Sequence, residues 1–543
     1  MTSPARGRPL SPAALFVICL AVFLVALTIR LAYALSIPIP VSADAAYYVM
    51  VAENLCQGRG FVSDYVWNYL GGVPSHLPAP SNEYWMPGQS LAICASFLLS
   101  GATSLRAAQA PSLFFGALLC ALTAWMSGAL FRRRDAAIAA GAMAAVSFQL
   151  AGTALSPDHF GLAACLVNLS LLGLWAARRG SPLLALAGGV AAGLAYLTRT
   201  DGVLLAAVAA LLSLGLFRQG QRRRAAVYLL CFTAAAALVI APWWARQLSV
   251  FGHPAGAGPL RTAFLTDYND LFRVDQSNLN LRQYLATNQV VALGFKGFVL
   301  AKELRLLGGA AGVAGVLMLL ALADRELRKR AAPWLIYLAL GLLVPALAFP
   351  YPAIKGGFWH LMPGLCPIIF ALGAGKAVQL AVGSGRSRGA LARLGAWSGL
   401  VLAFAWLLPW WAAVPREARS AERPLYPALN PALVRALREA GPVVLTDSAW
   451  GLYHVTRLPC AQFPSDGAEA ALVVAEALEA GYLVTRADAP SRLPAMAEVV
   501  GDPRFQPFAR HAGKEGTVLV YRLLPSSTQP DQSPSDSRLR MSQ

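Results

Sequence analysis

The chain has 543 residues, of which 57% are hydrophobic and 13% are charged, and its mean hydropathy is +0.53. Soluble domains carry about 25% charged residues, so this composition excludes an ordinary soluble protein and indicates a chain with many membrane spans. The formal net charge of +18 comes from short basic clusters between apolar runs, a pattern that reports membrane topology and argues against nucleic-acid binding.

The first apolar run extends from Pro12 to Ser36, long enough to cross a hydrocarbon core roughly 30 Å thick. No small-residue cleavage site ends this run, so we expect it to be retained as the first helix. A first external loop, 37–88, follows and contains Asp44, the first acidic residue of the chain. The apolar run 89–99 is too short to span, and we expect an interfacial or re-entrant helix there.

Ten further apolar runs have the length of membrane spans. They are residues 106–131, 136–155, 159–177, 183–198, 202–217, 226–248, 297–322, 333–349, 358–380 and 394–414. With about eleven spans in total, the basic clusters at 132–134, 178–179, 218–224, 325–330 and 386–393 all fall on one side, as the positive-inside rule requires of the cytoplasmic side. All six histidines and nearly all acidic residues then fall on the external side.

Ionisable residues gather at the outer ends of the predicted spans and in a second large external loop, 249–296. Charged groups at membrane depth are costly and usually serve either pairing or function. Arg199 with Asp201, and Lys302 with Glu303, can equally be structural salt bridges. Taken together, the cations at this level are what a phosphate-bearing lipid headgroup requires.

The composition changes after residue 415. Residues 416–525 are less apolar and alternate strand-like runs (443–446, 482–485 and 517–521) with helix-like ones (431–440 and 468–480). This alternation predicts a small α/β domain, which eleven spans place on the external side. The tail 526–543 is rich in Ser, Pro, Gln and Asp, and we expect it to be disordered.

Most of the eight cysteines lie in apolar runs without CxxC spacing, which argues against a zinc site or a disulfide framework. Cys56 and Cys460 fall in the external parts, and a bridge between them is left open.

Several short motifs occur at the outer ends of the spans in a distinctive order. In chain order they are Asp44-Ala-Ala-Tyr-Tyr48, Asn54-Leu-Cys-Gln-Gly-Arg-Gly-Phe61, Tyr84-Trp-Met-Pro87, Thr198-Arg-Thr-Asp-Gly202, Pro242-Trp-Trp-Ala-Arg246 with Phe251-Gly252, and Gly357-Phe-Trp-His360. Over residues 12–415 this order resembles that of the GT-C glycosyltransferases, in the branch with protein O-mannosyltransferases and the aminoarabinose transferase that modifies lipid A (glycosyltransferase family 39/83-like). The resemblance implies a GT-C catalytic domain over 1–415.

The resemblance also implies a reaction and the residues that perform it. A hexosyl or pentosyl group would move from a polyprenyl-phosphate sugar to a lipid, glycan or protein acceptor, with Asp44 as the general base. The candidates for binding the donor phosphate are Arg199, Arg246, Lys302, Arg305, Lys355 and His360. The candidates for binding the rest of the substrates are Tyr47, Tyr48, Glu83, Trp85, Asp158, His159 and Asp201.

The chain departs from the family pattern at two positions. Ala45 occupies the place of an acidic residue that commonly follows the loop aspartate, and His360 occupies the place of an arginine. Because of these departures the sequence assigns no certain cofactor, and a divalent metal is left open.

Three other functions are compatible with the same apolar pattern. A lipid flippase is one, although flippases and transporters often show internal repeats and midplane charges, and neither is evident here. A polysaccharide polymerase or ligase on the same fold is another, and a binding protein whose α/β domain captures a ligand is a third. For each of them, the charge pattern predicts a bacterial inner membrane with the active face toward the periplasm or the cell exterior.

Overall fold

The computed structural model describes residues 10–36, 39, 41–255, 258–287, 289–383, 390–407, 426–513 and 516–524. The chain divides into two compact units. The first comprises Met1–Ser63, Pro80–Leu271 and Ser277–Arg423, and the second comprises Asp64–Ala79, Phe272–Gln276 and Pro424–Gln543. The predicted disordered tail 526–543 and the end of the predicted last span lie outside the described residues.

The first unit is helical. Its helices are α1 (Pro12–Ser36), α2 (Ala43–Cys56), α3 (Gly88–Ser100), α4 (Leu105–Phe131), α5 (Arg134–Val146), α6 (Phe148–Gly152), α7 (Phe160–Arg179), α8 (Ala185–Thr198), α9 (Leu204–Arg218), α10 (Arg222–Phe251), α11 (Gly258–Arg261), α12 (Leu281–Ala286), α13 (Gln289–Ala321), α14 (Arg325–Ala348), α15 (Pro350–Pro352), α16 (Phe358–Gly383) and α17 (Ala390–Leu407). Two very short strands, β1 (Val62–Ser63) and β3 (Ala79–Pro80), lie between α2 and α3.

By length and composition, eight of the described helices can cross a membrane, and up to nine if one bent pair is counted as a span. The predicted spans 183–198 and 394–414 coincide with the shorter apolar helices Pro182–Thr198 and Trp397–Trp406. The predicted re-entrant run 89–99 is helix α3, whose 13 residues extend only about 20 Å and fall short of the hydrocarbon core.

The predicted span over 136–155 corresponds to a bent pair of helices, which can be a broken span or a re-entrant loop. The helix breaks at Ser147, whose φ of −66° and ψ of 118° are extended, and the two halves, Arg134–Val146 and Phe148–Leu155, are bent by 58°. An extended residue interrupts the backbone hydrogen-bond ladder, so the second half takes a new direction.

Close contacts between helices hold the start of α7 against α4. A Cβ added to Gly161 at the start of α7 would lie 2.8 Å from the backbone nitrogen of Gly116 and 2.9 Å from the carbonyl oxygen of Ser112, both on α4. Only a residue without a side chain allows α7 to approach α4 so closely. The residues directly before α7 are therefore held against α4.

The second unit is a mixed six-stranded sheet with helices. Its strands are β2 (Tyr65–Val66), β4 (Val443–Thr446), β5 (Cys460–Gln462), β6 (Ala480–Arg486), β7 (Phe505–Gly513) and β8 (Gly516–Leu523). Its helices are α18 (Pro431–Ala440), α19 (Ala449–Thr456), α20 (Ala468–Ala477) and α21 (Ala489–Arg492). The strand order is β2-β5-β4-β6-β8-β7, parallel from β2 to β6 and antiparallel for β8 and β7.

The strands and helices predicted after residue 425 are present, but part of the second unit comes from upstream. Strand β2, in the first external loop, pairs in parallel with β5, in the register Tyr65 with Cys460. The hydroxyl of Tyr453 donates to Asp64 Oδ2 over 2.9 Å, and the backbone nitrogen of Val274 donates to Asp466 Oδ2 over the same distance. The sheet is thus completed by segments more than 150 residues away in sequence.

Candidate active site

The site is built around the first turn of α2, which begins a few residues after the end of α1. Ser42 caps this helix by accepting a hydrogen bond from the backbone nitrogen of Ala45, and its hydroxyl donates to Asp158 Oδ2 over 3.0 Å. Asp44 lies in the first turn, where the helix dipole favours a negative charge. The cap therefore fixes Asp44 and ties it to a second carboxylate 114 residues along the chain.

Asp158 and His159 stand directly before α7 and are buried. The backbone nitrogen of His159 donates to Asp158 Oδ1 over 2.7 Å, and Nδ1 of the same histidine lies 2.6 Å from that oxygen. The hydroxyl of Ser112 on α4 donates to the carbonyl oxygen of Asp158 over 2.8 Å. These contacts leave the Asp158–His159 pair a single orientation.

Arg199 and His360 meet at the Nε2 atom of His159. Arg199 Nη1 lies 2.9 Å from His159 Nε2, and His360 Nδ1 lies 3.2 Å from it. Two further bonds of Arg199, from Nε and Nη2, reach Asp201 Oδ2 at 2.9 Å each, so the predicted Arg199–Asp201 pair is present. The rings of His360, His159 and Phe160 are stacked, with centroids 4.5 to 5.3 Å apart.

The direction of the hydrogen bonds follows from the chemistry of arginine, which only donates. His159 Nε2 must therefore accept, and its Nδ1 carries the proton that faces Asp158. Arg199 takes the lone pair of His159 Nε2, and His360, whose ring is stacked on His159, directs its own Nε2 toward Asp44 Oδ2, 3.7 Å away. A ring nitrogen and a carboxylate oxygen at this distance suit a shared proton or a bound cation.

Aromatic side chains enclose the carboxylate of Asp44. The indole of Trp85 hydrogen-bonds to Asp44 and packs against Tyr47 with ring centroids 4.3 Å apart. Tyr47 is itself held by a hydrogen bond of 2.6 Å from the backbone nitrogen of Asn82 to its hydroxyl oxygen. Tyr48, which is 1% exposed, lies edge-to-face on His159 at 5.5 Å.

The pKa values of the two carboxylates are shifted in opposite directions. Burial, and secondly the charge of Asp158, raise the pKa of Asp44 to about 7, although the charge of Arg199 and the hydrogen bond from Trp85 oppose this shift. Burial would also raise the pKa of Asp158, but the adjacent His159 outweighs it and holds that pKa below its usual value. Burial lowers the pKa of His159, although the charge of Asp158 opposes this shift. One ionised carboxylate therefore stands beside one that titrates near neutrality.

The remaining predicted residues are exposed or contact groups other than Asp44 and Asp158. Arg246 Nη2 donates to the carbonyl oxygen of Phe61 over 3.1 Å, and its guanidinium stacks on the ring of Trp243 at 4.8 Å. Lys302 Nζ donates to the carbonyl oxygen of Ile354 over 3.2 Å.

The expected Lys302–Glu303 pair does not form, because both carboxylate oxygens of buried Glu303 lack a hydrogen-bond partner among the described residues. Arg305 is exposed. Lys355 is exposed and lies over the ring of Tyr268 at 5.3 Å. Burial raises the pKa of Tyr47, and the charge of Glu83 adds to this shift. None of these contacts includes Asp44 or Asp158.

Four groups could hold a metal ion. Ligand atoms of Asp44, Asp158, His159 and His360 all lie within 4.8 Å of one another. His159 Nε2 is bound by Arg199, whose guanidinium would repel a cation there, and His159 Nδ1 faces Asp158 Oδ1 at 2.6 Å. The two carboxylates and His360 Nε2 remain, and this donor set fits a divalent transition-metal ion such as Zn²⁺ or Mn²⁺.

Sequence reasoning missed several residues of the site. Ser42 carried the clearest signal, because a serine immediately before a helix is a standard N-cap. Ser112 and Phe160 lie within apolar runs and carried none. Tyr84 and Tyr268 also lie near enough for the charge of Asp44 to raise the pKa of each after burial, to about 12 for Tyr268.

Comparison with known proteins supports the fold. No family model matches the chain, and no curated protein matches it. Among solved structures, the oligosaccharyltransferase AglB of Archaeoglobus fulgidus, in complex with an inhibitory peptide and a dolichol-phosphate, shares 15% identity at a TM-score of 0.54, over 94% of this chain and 75% of that one. The same enzyme in complex with Zn and sulfate shares 14% identity at a TM-score of 0.54, over 92% of this chain and 72% of that one.

ArnT of Cupriavidus metallidurans, bound to undecaprenyl phosphate, shares 14% identity at a TM-score of 0.53, over 96% of this chain and the whole of that one. These structures are GT-C glycosyltransferases, and the chain therefore has the GT-C fold, with multiple membrane helices and a small strand-containing C-terminal part. At this level of identity the likeness concerns the fold.

Proposed function

We propose that this chain is an integral-membrane glycosyltransferase that moves a sugar from a polyprenyl-phosphate donor to an acceptor hydroxyl, with Asp44 as the general base. The observation that carries the proposal is an enclosed carboxylate with a pKa of about 7, beside an ionised carboxylate and an arginine, just beyond the end of α1. The similar structures of AglB and ArnT, in complex with a dolichol-phosphate and with undecaprenyl phosphate, support the class of donor.

The reaction requires one proton to leave the acceptor as one glycosidic bond forms. The acceptor oxygen attacks the anomeric carbon, the bond from that carbon to the phosphate oxygen breaks, and the proton passes to Asp44. A base works best when its pKa lies near the working pH, and the pKa of Asp44 meets this condition. Transfer with inversion places this base on the face opposite the departing phosphate.

Arg199 is the cation proposed to stabilise the departing polyprenyl phosphate. Asp201 and His159 hold its guanidinium from two sides, so it can meet developing negative charge without reorganising. His360, stacked on His159, extends the polar surface beside it. Lys355, which is exposed and lies over the ring of Tyr268, is proposed as a second cation for the phosphate.

The aromatic side chains around Asp44 are proposed to bind the sugar. Tyr47, Tyr48 and Trp85 are buried and pack on one another beside Asp44, and amphipathic aromatic side chains commonly line ligand sites. A divalent ion, if bound by Asp44, Asp158 and His360, would supply positive charge that polarises a substrate oxygen. The charge pattern supports a bacterial inner membrane with this face toward the periplasm.

The donor class can be tested with purified protein in proteoliposomes. The assay supplies a radiolabelled polyprenyl-phosphate sugar, a crude cell-envelope acceptor, and in a parallel tube the corresponding nucleotide sugar. We expect label to move to the acceptor only from the lipid-linked donor, with release of polyprenyl phosphate. Transfer from the nucleotide sugar, or movement of intact labelled lipid across the bilayer without transfer, would contradict the proposal.

A further inference from the structure

Cys56 and Cys94 bring their sulfur atoms together at the junction of α2 and α3. Cys56 is the last residue of α2, Cys94 lies in the middle of α3, and their Sγ atoms are 2.7 Å apart. Non-bonded sulfur atoms normally stay about 3.6 Å apart, whereas a disulfide bond measures about 2.05 Å. We propose that Cys56 and Cys94 form a disulfide that joins α2 to α3.

The partner of Cys56 differs from the one left open by the sequence. Cys460 is fully buried in β5, and its thiol donates to the carbonyl oxygen of Ala449 over 3.1 Å. Cys56 Sγ instead faces Cys94, whose carbonyl oxygen it also approaches at 3.6 Å. Both cysteines of the pair are half-buried, which leaves an oxidant access to them.

The bond requires an oxidant, which we take to be a protein disulfide of the external compartment. A thiolate of the pair attacks that disulfide and forms a mixed disulfide, with release of one thiol of the oxidant. The second cysteine then attacks the mixed disulfide and displaces the oxidant's other thiol. The two cysteines lose two protons and two electrons and gain one S–S bond, while the oxidant's disulfide becomes two thiols. This chemistry takes place in oxidising compartments and is suppressed in a reducing cytosol.

The cross-link would act on the geometry of the catalytic residues. Helix α2 carries Asp44 at its other end, 12 residues from Cys56. Helix α3 begins at Gly88, where an added Cβ would lie 2.6 Å from Thr198 Oγ1, the residue before Arg199. A covalent link between α2 and α3 therefore restrains the distance between the proposed base and the turn that carries Arg199.

The test uses the full-length chain purified from membranes without reductant. Free thiols are blocked with N-ethylmaleimide, the protein is digested, and peptides are analysed by mass spectrometry before and after reduction. We expect a Cys56–Cys94 linked peptide in the wild type that disappears on reduction and in either serine variant, Cys56→Ser or Cys94→Ser. We also expect reduction to lower the melting temperature of the wild type by a few degrees and to leave that of the variants unchanged.

The matched control is Cys231→Ser, a half-buried cysteine of α10, which should keep the linked peptide and its response to reduction. Should a serine variant fail to fold, the comparison of oxidised with reduced wild type still decides the question. Alkylation of both cysteines in wild-type protein pretreated with oxidised glutathione would overturn the proposal, as would a linkage of Cys56 to Cys460. Because the readout is a covalent bond, it is independent of glycosyl transfer.

Discussion

The proposed base depends on a contrast between two carboxylates that share one enclosure. His159 stabilises the ionised form of Asp158, whereas burial and the charge of Asp158 raise the pKa of Asp44. If both carboxylates had low pKa values, each would be too weak a base to take a proton efficiently near neutral pH. Each carboxylate therefore has a distinct expected behaviour.

The first prediction concerns pH. Asp44 must be ionised to act, and its pKa is raised to about 7, so activity is present above this pH and is lost as the pH falls through it. Below pH 7, kcat/KM should decrease about tenfold per pH unit. The measurement is the pH profile of chelator-treated enzyme, so that no divalent ion occupies the site.

The same profile in Asp158→Asn should move its acidic limb to lower pH, because one of the two causes of the raised pKa is removed. Glu53→Gln, on the same helix as Asp44, should leave the limb in place. An acidic limb near pH 4 in the wild type would refute the assignment of Asp44.

The second prediction concerns Arg199. Arg199→Gln should lower kcat by about 100-fold, because a fixed donor to developing negative charge is worth two to three orders of magnitude. Arg199→Lys should recover only part of this loss, because a single ammonium cannot make the same fork of bonds. Arg305→Gln is the control, since Arg305 is exposed on α13, and it should change kcat less than twofold. Equal losses in both glutamine variants would argue against a local role for Arg199.

The third prediction belongs to the helices. In Gly88→Ala, the new methyl group would lie 2.8 Å from the carbonyl oxygen of Leu197 and 2.9 Å from the Cα of Thr198, so α3 and α8 must separate. Overpacking of this kind destabilises by about 1–3 kcal/mol and should displace Arg199. Thermal unfolding in detergent and kcat should both decrease. Gly215→Ala on α9 meets open space and should alter neither; an unchanged Gly88→Ala variant would show that the contact is not tight.

The sequence predicts which helix ends lie together but not how each helix is rotated about its axis. The acidic and basic residues at the outer ends of spans were predictable, because positive-inside topology fixes which ends share a face. The topology predicted from the sequence thus placed Asp44, Asp158, His159 and Arg199 at the same depth relative to the membrane. The stacking of His360 on His159, 201 residues away, depends on the rotation of α16 about its axis, which apolar periodicity in a membrane protein does not report.

The second unit illustrates a different limit. Strands β4, β6 and β8 are apolar and were predictable, whereas β5 has three residues and β7 is largely exposed, so neither carries a strong pattern. Strand β2 has only two residues, and its parallel partner is almost 400 residues away in sequence. Pairing at such a distance depends on tertiary packing and leaves no local signal.

At the scale of the whole molecule, the fourth prediction concerns topology. A cysteine introduced at exposed Ser75 in the first external loop should react in intact cells with a membrane-impermeant maleimide, and one at exposed Gln219 should react only after permeabilisation. The unmodified chain supplies the background from its native cysteines. Labelling in the reverse order would place the catalytic face in the cytoplasm and remove the periplasmic assignment.

The most direct test of the central claim is sugar transfer by Asp44→Asn, with a radiolabelled polyprenyl-phosphate sugar and the wild type and Glu53→Gln alongside. Asparagine keeps the shape of the side chain and removes the proton acceptor, so we predict a folded variant with at least about 100-fold lower turnover. Glu53→Gln should transfer label as the wild type does. Equal transfer by Asp44→Asn and the wild type would contradict the assignment of Asp44 as the base.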